Sequence, residues 1–103
     1  MSERLQALQE LAKIDPKNLL VRYGIAMELK KAGDSAAAIR EFEAVLEINP
    51  NYGAAYFHGG QTFEEMGDVE GAKAIYQRGI EATTRSGDAH TRSELQGALD
   101  LLP

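Results

Sequence analysis

Two histidines and a few closely spaced carboxylates are the side chains of this 103-residue sequence that could carry chemistry, and cysteine is absent. His58 and His90 lie 32 residues apart, and neither belongs to the His-Glu-x-x-His run that places two zinc ligands on one helix face. The lack of cysteine excludes disulfides, thiolate metal sites and cysteine nucleophiles. The sequence therefore predicts neither a zinc hydrolase nor a thiol-dependent enzyme.

The carboxylates do not form a catalytic pair either. Glu64 and Glu65 are adjacent, so on a helix their side chains point about 100° apart and cannot act together on one substrate. His90 and Glu94 lie four residues apart and could share a surface ion, but their spacing favours an exposed ion pair. We therefore predict no catalytic residue, no metal ligand and no cofactor.

Composition limits the partners of the chain. Eleven basic and sixteen acidic residues give a net charge of −5, and the basic residues are scattered, which disfavours nucleic acid. The longest apolar runs, 19–21 and 36–39, are far shorter than a membrane span, and no secretory signal opens the chain. These features predict a cytoplasmic domain that contacts neither nucleic acid nor membrane.

The elements that would position any functional side chain are helices. Alanine, leucine, glutamate and lysine are frequent, prolines occur only at positions 16, 50 and 103, and apolar residues recur at three- and four-residue spacing. Gly33-Asp34 and Gly67-Asp68 have the composition of a helix end followed by a helix cap. The pattern predicts six helices and no strands, with a polar break at 83–87 before the last helix.

The sequence repeats itself with a period of 34 residues. Identical residues at this offset include Gly33 and Gly67, Asp34 and Asp68, Ala38 and Ala72, Glu47 and Glu81, and Pro16 and Pro50. A period of this length with two helices per unit is typical of a stacked helical array, in which a unit cannot bury its apolar face alone.

The residues that recur resemble the tetratricopeptide repeat family. Small, large and aromatic residues fall at the positions of that pattern in both units: Ile25, Ala26, Leu29, Ala38, Phe42 and Pro50 in the first, and Tyr56, Gly60, Phe63, Ala72 and Tyr76 in the second. Two residues depart from it, because Arg22 replaces an aromatic and Thr84 replaces the terminating proline.

The resemblance implies an all-α, short right-handed α-solenoid of about six helices, formed by residues 1–103 as one domain. Its parts would be a half repeat at 2–16, full repeats at 19–52 and 53–86, and a capping helix at 88–102. The small residues at 26, 38, 60 and 72 would let helices cross closely, while Phe42 and Tyr76 would fill the wedge between units.

The resemblance also implies a non-catalytic module that binds a peptide or helical segment of another protein in a shallow concave groove. Helical spacing on the first helix of each unit predicts the groove residues Tyr23, Met27, Lys30, Lys31, Phe57, His58, Gln61, Glu64 and Glu65. Leu20 belongs either to this surface or to the core. The lysines and the glutamates would orient a charged ligand, unless they are only the solvated last turns of two helices.

Self-association is the alternative function. Terminal half units can leave apolar faces partly uncovered, and a homodimer would then form through the first or the last helix. The leucines concerned are Leu5, Leu8 and Leu11 at one end, and Leu95, Leu99 and Leu102 at the other.

Overall fold

The computed structural model describes residues 2–103 and contains six α-helices and no strand within that range. The helices are α1 (Glu3–Ile14), α2 (Leu19–Lys31), α3 (Ser35–Ile48), α4 (Gly53–Glu65), α5 (Val69–Ser86) and α6 (Ala89–Asp100). Each helix packs on its neighbour in sequence, and α4 also touches α2 and α6. The all-α prediction and the number of helices are therefore confirmed.

Local signals set most of the helix ends. The side chains of Ser2, Asp34 and Asp88 each accept a hydrogen bond from a backbone N–H three residues further on, and Asp34 is a cap that the sequence predicts. Gly33 and Gly67 follow α2 and α4 with φ of +83° and +77°, a left-handed conformation that glycine adopts without strain. The tight turns bring each pair of helices back alongside one another.

The end of α5 differs from the prediction. The expected break at 83–87 is wrong, because α5 continues to Ser86 and ends at Gly87, whose φ is +77°. Thr83 is buried, and its hydroxyl donates to the Gly79 carbonyl at 2.8 Å, while the Thr84 hydroxyl donates to the Ile80 carbonyl at 2.6 Å. These hydroxyls are satisfied inside the helix, so polar residues do not interrupt it.

The core lies where the small residues of both units meet two aromatic rings. Ala26, Ala38 and Ala72 are fully buried, and so are Phe42 and Tyr76. A second, smaller cluster joins α1 to α2 through Leu5, Ala12 and Ile25. The predicted close crossings are therefore present in the structure.

In the two units, different side chains donate a hydrogen bond to the backbone carbonyl of the equivalent proline. The Arg22 Nε donates to the Pro16 carbonyl at 2.8 Å, and 34 residues later the Tyr56 hydroxyl donates to the Pro50 carbonyl at 2.6 Å. Arg22 also contacts Glu41, with Nη1 3.3 Å from a carboxylate oxygen. Arg22, which departs from the repeat pattern, thus makes a hydrogen bond equivalent to that of Tyr56 in the second unit.

Two ion pairs connect the first unit to the second. Lys30 of α2 lies 2.8 Å from Glu65 of α4, and Arg78 of α5 lies 2.9 Å from Glu43 of α3. The pairs therefore tie the two units both between α2 and α4 and between α3 and α5. None of the helices within residues 2–103 combines the length and the apolarity that crossing a bilayer requires.

Candidate functional site

A groove of about 620 Å³ runs along the side of the molecule formed by α2, α4 and α6. Helix α4 forms its middle because its glycines allow close packing on α5: a Cβ atom added at Gly59 would lie 2.8 Å from Ile75, and one at Gly60 would lie 2.0 Å from Tyr76. The opposite side of α4 faces the groove. The groove residues are Lys30, Phe57, Gln61, Glu64, Glu65, Tyr76, Glu94, Ala98 and Leu101.

An aromatic cluster adjoins the groove at the α2 side. The ring of Tyr23 lies 5.3 Å from that of Tyr52 and 6.2 Å from that of His58, and His58 lies 5.4 Å from Phe57. All of these pairs are edge-to-face, a geometry that adds stability beyond the area that the rings bury. The four residues are half-buried, and the cluster borders the groove.

His58 is held in a partly desolvated position. Burial lowers its pKa below the ordinary value of 6.5, and the nearby Lys30 charge lowers it further. The hydrogen-bond contact of its Nδ1 with the Gln61 side-chain oxygen, at 3.2 Å, and the Glu94 charge act in the opposite direction. Because burial dominates, the neutral imidazole is the favoured form near pH 7.

The carboxylates of the groove differ in their partners. Glu65 is paired with Lys30 at 2.8 Å, and Glu64 accepts a hydrogen bond of 2.5 Å from the Tyr76 hydroxyl, whose pKa is raised by burial and by this bond. Glu94 is half exposed, and its oxygen lies 3.6 Å from the exposed His90 ring. Lys30 is the one basic residue that lines the groove within residues 2–103, and it is already paired.

The structure brings together five of the predicted groove residues: Lys30, Phe57, Gln61, Glu64 and Glu65. Tyr23 and His58 lie in the aromatic cluster beside them, and Met27 packs against the core.

Lys31 and Leu20, which the sequence analysis also considered for this surface, do not line the groove. Lys31 lies away from the groove, beside Ser2, Leu5 and Glu28 at the contact between α1 and α2. The side chain of Leu20 is 70% exposed and so does not belong to the core.

Four groove residues were not among those predicted: Tyr76, Glu94, Ala98 and Leu101. Three of them belong to α6 or follow it directly, a segment that the sequence pattern indicates only as a cap. The position of α6 in the repeat nevertheless indicates that it lines the groove, because α6 follows α5 as α4 follows α3 and so lies on the same surface.

The terminal leucines of the predicted dimer surfaces are mostly used within the chain. Leu5 and Leu95 are buried, Leu8 packs beside Gly24, and Leu99 and Leu102 pack against the core. Leu11 is half exposed. The terminal helices thus offer less apolar surface than the sequence pattern suggests.

The described part of the chain, residues 2–103, contains no group of three or more histidine or acidic side chains arranged to hold a metal ion. His90 and Glu94 form an exposed pair, and a charged interaction between them requires a protonated imidazole.

Comparison with known proteins identifies the tetratricopeptide repeat in this sequence. The family model of the tetratricopeptide repeat matches residues 29–101. A TPR repeat-containing protein of Pseudomonas aeruginosa is 24% identical over 91 residues, which cover 88% of this chain and 87% of that protein.

Solved structures share the fold. The solution structure of a protein from Bordetella parapertussis has a TM-score of 0.82 at 26% identity, and the match covers 97% of this chain and 87% of the other. The crystal structure of PcrH in complex with the chaperone binding region of PopD has a TM-score of 0.85 at 14% identity, covering 93% and 73%. The latter likeness concerns the fold alone.

Proposed function

Since the chain belongs to the tetratricopeptide repeat family, whose members generally mediate protein–protein interactions, we propose that it is a non-catalytic module that binds a segment of another protein in the groove between α2, α4 and α6. The observation that carries the proposal is that residues 2–103, which the structure describes, leave this groove open. Leu101, near the end of the chain, lies at its edge and is 87% exposed.

The composition of the groove supports a peptide ligand. An exposed leucine next to a half-buried aromatic ring, with polar groups around them, is the arrangement in which apolar anchors of a partner bind. The fold is also compatible with this role, because the similarly folded PcrH was solved in complex with the chaperone binding region of PopD.

Site-specific photocrosslinking tests the proposal. A photoreactive amino acid at Gln61, in the groove, is compared with one at Gln77, which is exposed on α5, in cells that produce the full chain. We expect a covalent adduct with a partner protein from position 61 and none from position 77. Equal adducts from both positions, or adducts from position 77 alone, would refute binding in the groove.

A matched pair of substitutions extends the test. Leu101→Ser removes an exposed leucine at the groove, and Ile14→Ser makes a similar change at an exposed isoleucine of α1. The first should reduce the adduct from position 61 and the second should leave it unchanged.

Self-association has weaker support, because most of the terminal leucines are packed within the chain. Sedimentation at micromolar concentration tests it. A dimer that Leu11→Ser dissociates would favour this second function over the first.

A further inference from the structure

The groove combines an apolar floor with a negatively charged rim, and this combination defines the chemistry of the ligand. We propose that it selects a basic amphipathic segment, whose apolar side chains pack on Phe57, Ala98 and Leu101 while its lysines or arginines pair with Glu64 and Glu94. The inference rests on the proposed function and adds the class of partner to it.

The floor lies between two helices. Phe57 of α4 and Ala98 of α6 are half-buried, packing against the core on one side and lining the groove on the other, and Leu101 lies beside them. Covering this surface with an apolar side chain removes it from water, which provides the non-directional part of the binding energy.

The rim has an excess of negative charge. Among the residues that the structure describes, three carboxylates and one ammonium group line the groove, and the ammonium of Lys30 is paired with Glu65 at 2.8 Å. Among residues 2–103, Glu64 therefore has no lysine or arginine partner, and Glu94 has only the exposed His90 ring at 3.6 Å, which carries a charge only when it is protonated. An added cation would find both carboxylates at the edge of the apolar floor.

Glu64 is held in place for such a contact. The Tyr76 hydroxyl donates to one of its oxygens at 2.5 Å, and Tyr76 is itself completely buried. A carboxylate fixed by a buried donor loses less side-chain entropy when it binds a cation. The second oxygen of Glu64 is free of this bond.

The surrounding charge acts in the same direction. From residue 53 onward the sequence contains eight acidic and four basic residues. An acidic segment would be repelled by this half of the molecule, and to reach a cation in the groove it would have to displace Glu65 from Lys30. The groove therefore discriminates against acidic ligands.

Titration with synthetic peptides tests the inference. A peptide of about 18 residues is made from leucine and lysine, with its leucines on one helical face. A second peptide carries glutamate in place of every lysine, and a third has the leucines and lysines in shuffled order. Binding to the full chain is followed by fluorescence anisotropy, and amide chemical shifts locate the contact.

The decisive comparison uses two double variants with the same net charge. Glu64→Gln with Glu94→Gln neutralises the rim, and the amide oxygen introduced at position 64 can still accept from the Tyr76 hydroxyl. Glu47→Gln with Glu81→Gln neutralises two exposed carboxylates at equivalent places on α3 and α5. We expect the first double variant to bind the leucine–lysine peptide about fivefold more weakly, because two partly exposed ion pairs are lost. The second should weaken binding by less than about twofold.

The ordered leucine–lysine peptide should bind more tightly than the other two peptides and shift the amides of Phe57, Ala98 and Leu101. Equal weakening by both double variants, or shifts confined to α3 and α5, would overturn the inference. Tighter binding of the glutamate peptide in the groove would overturn the charge preference and leave the proposed function standing. If none of the three peptides bound, the inference would be overturned but the proposed function would not, since photocrosslinking tests that function separately.

Discussion

The packing between α4 and α5 makes Gly60→Ala a sharp test of the fold. In an exposed helix interior this substitution would stabilise the protein by about 1 kcal/mol, because glycine is the poorer helix former. Here a Cβ atom at position 60 would lie 2.0 Å from Cε1 and 2.4 Å from Cζ of Tyr76, whereas carbon atoms in contact are about 3.5 to 4.0 Å apart. The ring would therefore have to move by about 1.5 Å.

Displacing the ring of Tyr76 is costly. It is completely buried, and its hydroxyl is hydrogen-bonded to Glu64. Overpacking of a core costs about 1 to 3 kcal/mol, and the severity of this overlap places Gly60→Ala at the upper end. After the helix-propensity gain is subtracted, we expect a net loss of about 2 kcal/mol. In a domain of this size that lowers the Tm by about 10 °C.

Gly97→Ala is the matched control. Gly97 also lies inside a helix, but a Cβ atom there would meet no atom within 4 Å. It should therefore raise the free energy of unfolding by about 0.5 to 1 kcal/mol.

Urea unfolding followed by circular dichroism measures both variants. We expect the free energy of unfolding to fall in Gly60→Ala and to rise in Gly97→Ala. The packing argument would be refuted if the unfolding midpoint of Gly60→Ala rose as well. A Tyr76→Leu substitution should reduce the cost of Gly60→Ala, which a double-mutant cycle detects.

Three further predictions concern the hydrogen bonds, the turns and the pH dependence. Tyr56→Phe removes the donor to the Pro50 carbonyl and should lower the free energy of unfolding by about 0.5 to 1.5 kcal/mol in urea unfolding; an unchanged midpoint would contradict the role given to that bond. Gly87→Ala places a side chain at a φ of +77° and should cost about 1 to 2 kcal/mol in the same assay, although the site is open; a neutral result would mean that the turn adapts. Because burial lowers the pKa of His58 below 6.5, the unfolded chain binds its proton more readily, so stability should fall as pH decreases below about 6.5. His58→Gln should reduce that slope between about pH 7.5 and 5.5, and a slope that this substitution leaves unchanged would contradict the role given to His58.

Local sequence signals were sufficient for most of the fold. Caps such as Asp34 and turns such as Gly33 act within a few residues, so their effect can be predicted without knowing what packs on them. The end of α5 could not be predicted in this way. Thr83 is buried against neighbouring helices and hydrogen-bonds within its own helix, and a tertiary environment decides between that arrangement and a turn.

The candidate site was predicted less completely, for geometric reasons. Consecutive residues on a helix point about 100° apart, so Lys30 reaches α4 while Lys31 lies beside α1. The contribution of Glu94, Ala98 and Leu101 depends on how α6 packs against α4, which helical spacing within α6 alone does not give.

The paired contacts between the two units bear on how far the groove can open. Widening the groove by bending the molecule requires α2 and α4 to separate, which brings α3 and α5 closer together. Such bending stretches the bridge from Lys30 to Glu65 and compresses the one from Arg78 to Glu43, so the two act as opposed restraints on curvature. Dissolved ions screen partly exposed charges, so both restraints weaken as the ionic strength increases.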